Sequence, residues 1–354
     1  MEKKILEALS KVIDPDFKKD LVSLEMIQNL KIEGKNVSFT IVLTTPACPL
    51  KERFRRECTE IIHTDVDPSL EVVIEMSSKV TQQKKMSADK LSGVKNIIAV
   101  ASGKGGVGKS TVSVNLAIAL SQHGAKVGLI DADINGPNLP LMLGLENTKP
   151  ELKVVDGKNI MIPVFKYGVK VMSIGMLIPP NQPLVWRGPM LSNALQQLIL
   201  ESEWGELDYL VIDMPPGTGD IHITLCQQIP LSAALMVTTP QKVSMSDTIR
   251  TIEMFKMNGM DIPLLGIVEN MSYFTPEELP GNKYLIFGKG AADEIAAKYH
   301  LAVLEYLPLV MGVTTESDKG TPAIMNSKGS LLKDKFLSLA EKVAQQISIL
   351  NFKE

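Results

Sequence analysis

The segment ASGKGGVGKST, residues 101–111, constrains the fold more than any other stretch of this chain. It contains the spacing G-x-x-x-x-G-K-S as Gly103, Gly108, Lys109 and Ser110, between the apolar run NIIAVA and a helical pattern. Such a loop points backbone N–H groups at phosphate oxygens, while its lysine meets the β- and γ-phosphates and its serine hydroxyl meets Mg²⁺. Because strand, loop and helix follow in the required order, the segment predicts a nucleotide site rather than a glycine-rich turn with a chance lysine.

Strands and helices alternate along the chain after residue 95. The predicted strands are the continuous apolar runs NIIAVA, KVGLID, LDYLVID, AALMVTT and PLLGIVEN. Helices are predicted from Lys109, from about Ser244, near Ala291–Tyr299 and over Leu331–Ile349. Strands that are apolar on both faces need helices on both sides of their sheet. Residues 96–354 are therefore predicted to form an α/β P-loop NTPase domain with a doubly wound, mostly parallel sheet.

A smaller α/β domain is predicted over residues 1–76. Its pattern indicates a helix over Glu2–Val12, two strands joined at Gly34-Lys35-Asn36, a helix after Pro49 and a strand over Glu71–Met76. Glycine and asparagine between two β-rich runs are typical of a hairpin. Residues 77–95, SSKVTQQKKMSADKLSGVK, are polar and lack apolar periodicity, so they predict a linker between the domains.

Composition argues against several classes of protein. The net charge of −3 over 354 residues argues against a strongly basic nucleic-acid-binding face. Three cysteines are too few and of the wrong parity for a disulfide framework, which indicates a reducing compartment. No apolar run reaches membrane-spanning length, and the N-terminus lacks the apolar stretch of a signal peptide. The expectation is a cytoplasmic protein that binds neither nucleic acid nor membrane.

A second lysine, Lys104, lies within the phosphate loop. With it, KGGVGKS resembles the deviant Walker A motif of the MinD, ParA and nitrogenase-reductase class of ATPases. The resemblance implies ATP as the ligand and a homodimer in which Lys104 reaches the partner's nucleotide; a solvated loop lysine is the alternative. The nucleotide-binding residues that it implies are Gly103, Lys104, Gly105, Gly106, Val107, Gly108, Lys109, Ser110, Thr111, Asp213 and Asn270.

The motif LIDADINGPNLP extends this resemblance. It places Asp131 at a strand end and Asp133 just beyond it, before the turn Asn135-Gly136-Pro137. In the class that the chain resembles, Asp133 would position or deprotonate the attacking water, and the turn would act as switch I. The implied catalytic residues are Lys104, Lys109 and Asp133. Capping of the next helix is the alternative role for a carboxylate at a strand end.

Two further segments resemble the same class. LDYLVIDMPPGTGD ends a strand at Asp213, which would hold Mg²⁺ together with Ser110, and residues 215–220 would form switch II. Asn270, after the strand PLLGIVEN, resembles the adenine-side asparagine, and Pro308 lies near a second adenine-contacting segment. A turn residue is the alternative reading of Asn270.

Taken together, DADINGPNLP, DMPPGTGD and ENMSYF resemble the Mrp/ApbC family of iron-sulfur cluster carriers. The likeness covers essentially the whole chain, because bacterial members carry an N-terminal domain associated with iron-sulfur assembly. The matching features there are the turn at Asp14-Pro15 and TTPACP around Cys48. The resemblance implies a homodimeric ATPase that uses ATP and Mg²⁺ and assists assembly of a cluster, [4Fe-4S] in the family, and its transfer to apoproteins. Its expected partners are assembly proteins and apo acceptors.

The chain departs from this family at its usual cluster ligands. Many members carry a C-x-x-C pair shortly after ENMSYF, whereas Thr275, Pro276, Glu277, Glu278 and Leu279 stand here. Carboxylate oxygens are poor substitutes for thiolates at an iron-sulfur cluster. The family's cluster ligands therefore do not carry over to this sequence.

The three cysteines differ in their expected roles. Cys226 follows switch II among apolar residues, and Cys58 lies on the apolar face of the helix after Pro49, so both read as structural thiols. Cys48 directly precedes that helix, whose positive end lowers a thiol pKa, so it is a candidate cluster ligand or reactive thiol. A core residue remains the alternative for Cys48.

Three other functions compete with the carrier. A nucleotide-gated adaptor would have lost its own cluster but kept its assembly partners. A MinD- or ParA-like spatial organiser is disfavoured, because the C-terminal helix has the apolar face of a docked helix rather than a basic membrane-binding one. That face consists of Phe336, Leu337, Ala340, Val343 and Ile347. A nitrogenase-type reductase would need dedicated cluster cysteines.

Overall fold

A computed structural model describes ten stretches of the chain. They are residues 1–82, 91–134, 136–155, 157–178, 188–257, 259–276, 278–279, 281–311, 317–325 and 330–353. Of the predicted features, Asn135, Glu277 and part of the linker over 77–95 lie outside these residues. Contacts divide the chain into one unit formed by Met1–Gln82 with Ala344–Glu354 and another formed by Gln83–Val343.

The first unit is a small α/β fold. Its elements are α1 (Glu2–Leu9), β1 (Ile13–Asp14), β2 (Lys19–Asp20), β3 (Ile27–Glu33), β4 (Asn36–Leu43), α2 (Lys51–Asp65) and β5 (Glu71–Ser78). The predicted hairpin is confirmed: β3 pairs antiparallel with β4, and Gly34 in the turn has a φ of +64° that favours glycine. Strand β5 returns parallel to β4 after α2. Helix α1 ends three residues before the predicted Val12, whose carbonyl instead accepts from Leu21 N at 3.1 Å.

The second unit begins with the strand and helix that flank the phosphate loop. The first ten elements of this unit are β6 (Val94–Ala101), α3 (Lys109–Gln122), β7 (Val127–Asp131), α4 (Leu139–Met142), β8 (Glu151–Val155), β9 (Lys158–Ile162), β10 (Val164–Lys166), β11 (Val169–Ser173), α5 (Gly188–Leu200) and β12 (Leu207–Asp213). The remaining elements are α6 (Asp220–Gln228), β13 (Ala233–Thr238), α7 (Lys242–Phe255), β14 (Leu264–Glu269), α8 (Ala291–Tyr299), β15 (Val303–Tyr306) and α9 (Ser330–Lys353), whose residues from Ala344 onward belong to the first unit.

Eight strands of the second unit form one sheet in the order β10-β11-β7-β12-β6-β13-β14-β15. Every pair is parallel except β10 with β11, which confirms the predicted mostly parallel α/β sheet. The central strands are buried along almost their whole length, as continuous apolar runs require. Parallel strands end at the same edge of a sheet, so the loops after β6, β7, β12, β13 and β14 lie together.

Candidate functional site

The loop between β6 and α3 has a backbone that needs glycine at particular positions. Gly106 and Gly108 both have a φ of +81°, in the left-handed region. A Cβ on Gly103 would lie 2.1 Å from the backbone carbonyl carbon of Asp247, and one on Gly108 would lie 2.2 Å from Asn270 Nδ2. The glycines therefore let the loop pack against the segments that follow β13 and β14. The first turn of α3 then directs its free N–H groups towards the cleft.

Lys109 and Asp213 form a buried ion pair at the centre of the site. Lys109 Nζ lies 2.7 Å from Asp213 Oδ1, and the two side chains are 6% and 0% exposed. Ser110 Oγ donates to Asp213 Oδ2 at 2.7 Å, and Ser113 Oγ donates to Asp213 Oδ1 at 2.6 Å. The sequence predicted the first three residues, and Ser113 was missed although it lies one helical turn after Lys109 on the same face of α3.

The oxygen atoms of Ser110 and Asp213 suit Mg²⁺. A hydroxyl and a carboxylate are hard oxygen ligands, which this cation prefers. They approach each other within 2.7 Å at the edge of a cleft that also contains the phosphate loop. These two side chains could therefore hold the cation next to bound phosphates.

Asp131 fixes the turn that carries Asp133. The sheet register places Asp131 directly opposite Asp213 on the neighbouring strand. Its carboxylate accepts from Asp133 N at 3.2 Å, Leu139 N at 3.2 Å and Ser173 Oγ at 3.0 Å. Burial and then the nearby charge of Asp213 raise the pKa of Asp131 to about 8. Asp131 thus organises the backbone, while Asp133 lies on the cleft wall.

The phosphate loop borders two cavities. The larger, about 350 Å³, brings together both predicted lysines, Ser110, Thr111 and Asp133. Its full lining is Ser102, Lys104, Gly105, Gly106, Gly108, Lys109, Ser110, Thr111, Asp133, Asn138, Leu141, Met142, Pro216, Ser317 and Asp318. A second cavity of about 200 Å³ lies against the outer side of the loop, where Lys104, Gly105, Gly106 and Val107 meet the segments after β13 and β14. Two lysines and a ring of glycine N–H groups make the larger cavity suitable for a polyphosphate.

Asn270 is held against the phosphate loop. Its Nδ2 donates to Val107 O at 2.8 Å, and its backbone N–H donates to Thr238 O at 2.8 Å. Pro308 is buried after β15. An adenine-side role for these two residues stays a prediction.

Switch II is tied to both β6 and the phosphate loop. Met214 N donates to Val100 O, and Gly217 N donates to Ser102 O, each at 3.0 Å. Pro216 lies on the wall of the larger cavity. One side chain in this region was missed from the sequence: His222, on α6, contacts Pro215 O through Nε2 at 2.7 Å. The sequence signal available for this residue was a histidine within GDIHITL, shortly after the segment predicted as switch II.

The three cysteines occupy different environments. Cys58 is fully buried on α2, and burial raises its pKa to about 12. Cys226 on α6 packs against the core of the second unit, and burial raises its pKa to about 12 as well. Both fit the predicted structural thiols. Cys48 is half-buried in the loop before α2 and packs at the margin of the first unit's core. Among the residues that the structure describes, no cluster of three or more His, Cys, Asp or Glu side chains could hold a metal ion.

Residues 275–279, where the resemblance would have predicted a cysteine pair, follow β14 and are described except for Glu277. Phe274 pairs antiparallel with Tyr284 and parallel with Leu309, so residues 275–283 lie between bridged positions. Leu279 and Leu285 are about half exposed. No cysteine occurs between Phe274 and Tyr284 in the sequence.

The parallel sheet, the phosphate loop with two lysines and the paired strand-end carboxylates define a P-loop NTPase of the MinD and ParA class. Residues 93–344 match the model of the NUBPL iron-transfer P-loop NTPases, and residues 2–73 match an iron-sulfur cluster assembly protein domain. The chain belongs to the NUBPL iron-transfer family of P-loop NTPases.

Individual proteins support this placement. An iron-sulfur cluster carrier protein of Synechocystis is 45% identical over 347 residues, which cover 98% of this chain and 97% of the relative. A nucleotide-binding protein from Archaeoglobus fulgidus, solved in complex with ADP, is 38% identical with a TM-score of 0.57, covering 65% of this chain and 88% of that one. The cell division ATPase MinD of Pyrococcus furiosus shares the fold, with a TM-score of 0.51, 23% identity and coverage of 70% of this chain and 98% of its own. A search of the described helices finds none long and apolar enough to cross a membrane.

Proposed function

We propose that this protein is an ATP-hydrolysing carrier or scaffold that assists the assembly of iron-sulfur clusters and their transfer to apoproteins. The observation that supports it is the occurrence, in one chain, of an iron-sulfur assembly segment over residues 2–73 and an iron-transfer NTPase segment over 93–344. The Synechocystis relative, which matches 98% of this chain, is named an iron-sulfur cluster carrier protein. We further propose that the protein acts in the cytoplasm as a homodimer.

The proposed chemistry is Mg²⁺-dependent hydrolysis of ATP. Lys109 and the glycine N–H groups bind the phosphates, and Ser110 with Asp213 holds the cation, which neutralises phosphate charge when bound. Asp133 orients the attacking water or takes its proton. Lys104 is exposed at the rim of the site, so it is free to reach a nucleotide on a partner subunit. Asn270 and Pro308 lie on the adenine side.

The cluster is cargo in this proposal, and Cys48 is the thiol proposed to handle it. It is more exposed than the fully buried Cys58, and it lies three residues before Lys51, the first residue of α2, whose N-terminal end favours a thiolate. One cysteine from each subunit supplies two thiolates to a dimer, whereas a [4Fe-4S] cluster takes four. The remaining ligands would come from an assembly partner, an acceptor or a small thiol.

Anaerobic reconstitution with iron and sulfide tests the carrier function. We expect the wild-type protein to bind iron and sulfide and to restore the activity of an apo acceptor, and Cys48→Ser to lose most of both. Cys226→Ser is the matched control and should behave like the wild type, because Cys226 packs against the core. Absence of bound cluster and of transfer in the wild type would refute the carrier function.

A nucleotide-gated adaptor is the second candidate. It is favoured by one observation, the absence of any cysteine between Asn270 and Gly290, where the family carries its pair. An adaptor would bind assembly proteins in an ATP-dependent manner without holding a cluster. Pull-down of a cluster scaffold protein with ATP and with ADP, combined with the iron measurement above, separates the two functions.

A further inference from the structure

Switch II contains a stretch that cannot donate backbone hydrogen bonds. Pro215 and Pro216 are adjacent, and neither has an N–H group. The hydrogen bonds that tie switch II to β6 and the phosphate loop come from Met214 and Gly217, on either side of this pair. The two prolines can form backbone hydrogen bonds only through their carbonyl oxygens. Each such bond needs a donor group from another residue.

His222 supplies that donor. It lies in the first turn of α6, is 2% exposed, and its Nε2 is 2.7 Å from Pro215 O. A carbonyl oxygen accepts hydrogen bonds but cannot donate them, so the proton must be on Nε2. The imidazole therefore bridges α6 to the diproline, and Pro216 next to it forms part of the wall of the phosphate cavity.

Burial of the other ring nitrogen of His222, Nδ1, costs free energy, and side-chain packing does not explain that cost. Nδ1 is buried and has no hydrogen-bond partner among the residues that the structure describes. A buried polar atom without a partner costs about 1–3 kcal/mol. An apolar side chain of similar size would avoid this cost but would leave Pro215 O without this donor, so the two effects on stability roughly offset each other. Burial lowers the pKa of His222 and, with a smaller effect of the Lys109 charge, outweighs the backbone groups of Pro215 and Gly219, which raise it; this keeps the ring neutral with a single N–H group.

We propose that His222 is a positioning residue for nucleotide turnover, which holds the Pro215 carbonyl so that Pro216 faces the phosphate cavity. The inference rests on the proposed ATPase function. It assigns the positioning of switch II at the nucleotide site to His222, a side chain outside the sequence motifs of that site. His222 acts through switch II and does not touch the phosphates. Loss of its N–H group should affect the step that depends on switch II, while the phosphate loop continues to bind nucleotide.

Two substitutions separate positioning from packing. His222→Leu fills a similar volume with an apolar side chain and removes the hydrogen-bond donor to Pro215 O. His222→Gln retains an N–H group that can reach the same carbonyl. We expect His222→Leu to lower kcat about tenfold with KM changed less than about threefold, and His222→Gln to stay within about threefold of wild-type kcat. His123→Leu is the matched control, because His123 also contacts a carbonyl but lies at the opposite end of α3 from the phosphate loop.

A second measurement does not depend on turnover. The ratio of the dissociation constants of ADP and a non-hydrolysable ATP analogue reports how switch II senses the γ-phosphate. We expect this ratio to move towards one in His222→Leu and to be retained in His222→Gln and His123→Leu. Thermal unfolding of all four proteins shows whether each variant folds.

The outcomes are distinguishable. If wild type and His222→Leu share the same kcat and the same affinity ratio, the positioning role is overturned while the ATPase function stands. If His222→Gln is as impaired as His222→Leu, hydrogen bonding to Pro215 is not the cause and the proposal is also overturned. A wild-type protein that binds no adenine nucleotide would overturn both the proposed function and this inference.

Discussion

Lys109 Nζ and Asp213 Oδ1 lie 2.7 Å apart with both side chains almost completely buried. The contact joins the first residue of α3 to the last residue of β12, so it links the phosphate loop to the strand that precedes switch II. Two serine hydroxyls complete the hydrogen bonding of the carboxylate. We therefore expect the same pair to contribute to folding and, under the proposed function, to phosphate binding, so substitution of either residue should affect both.

Replacement of Lys109 should abolish nucleotide binding and destabilise the protein. Lys109→Met removes the charge that the proposed function assigns to the phosphates and leaves the Asp213 carboxylate buried without its cation. Breaking a buried ion pair in this way costs about 3–5 kcal/mol. Isothermal titration with ADP and thermal unfolding measure the two effects separately.

The double variant Lys109→Met with Asp213→Asn provides the control. It removes the unpaired buried charge, so Tm should recover much of the loss while ADP binding stays absent. A single Lys109→Met variant that unfolds at the wild-type temperature would contradict the idea that the ion pair stabilises the fold.

Lys104→Ala should stop hydrolysis with little effect on nucleotide binding. The side chain is exposed on the loop, and our proposal assigns it to the nucleotide of a partner subunit. We expect a kcat loss of about 100-fold or more, comparable to that caused by removing a group that stabilises transition-state charge. ADP affinity should change less than about threefold, since Lys109 and the glycine N–H groups remain.

Analytical ultracentrifugation with ATP shows whether the Lys104 variant still forms a dimer. Lys149→Ala, another lysine of the second unit and outside the described lining of both cavities, is the control for loss of a charge. Wild-type turnover by Lys104→Ala would refute the role of Lys104 across the dimer.

The phosphate site could be predicted from the sequence because its chemistry is local. The spacing from Gly103 to Ser110 fixes the loop, and continuous apolar runs end at Asp131 and Asp213. Parallel strands bring such ends together whatever the intervening sequence. Residues that contact groups on distant elements of the fold show no comparable sequence pattern. Ser173 and His222 hold carbonyl or carboxylate groups on other elements, and a lone polar residue in a sequence does not indicate its partner.

The part of the fold that was missed lies mainly between α4 and β12. The β8–β9 hairpin exposes apolar residues such as Leu152 and Val154, which are 64% and 69% exposed. The sequence ELKVV does alternate polar and apolar residues, but the run is only five residues long, and these two apolar side chains are exposed rather than facing a core. Helix α5 was also missed, although Leu191, Leu195, Leu198 and Ile199 recur at helical spacing in GPMLSNALQQLIL and are buried.

Gly108→Ala should weaken both folding and nucleotide binding. The added Cβ would lie 2.2 Å from Asn270 Nδ2, at a φ of +81° that alanine adopts with strain. Such backbone strain costs about 1–3 kcal/mol. Displacement of Asn270 would also break its hydrogen bond to Val107 O.

Gly105→Ala is the matched control in the same loop. Its Cβ would meet no atom within 4 Å, and Gly105 does not have a positive φ. Its Tm should stay close to that of the wild type, or rise slightly because alanine restricts the unfolded chain. Equal Tm values for the two variants would contradict the close packing of Gly108 against Asn270.

Acid should destabilise the second unit partly through Glu305 on β15. Glu305 accepts from Lys335 Nζ at 2.7 Å and Lys342 Nζ at 3.0 Å, both on α9, and from Ser338 Oγ at 3.0 Å. Burial alone would raise the pKa of Glu305, but the hydrogen bonds from the two lysines outweigh it and hold the pKa below its usual 4.5. The unfolded chain therefore binds a proton at a higher pH than the folded protein does.

This difference gives the sign of the pH dependence. The stabilisation from Glu305 is complete above about pH 4.5 and is lost as the pH falls through the lowered pKa of the folded state. Glu305→Gln should lower the free energy of unfolding by about 1–3 kcal/mol at pH 7, and by less as the pH approaches 3. Urea unfolding at several pH values measures the change. Glu203→Gln, which removes an exposed pair with Lys153, should cost less than about 1 kcal/mol. A constant difference between wild type and Glu305→Gln from pH 7 to pH 3 would contradict the lowered pKa.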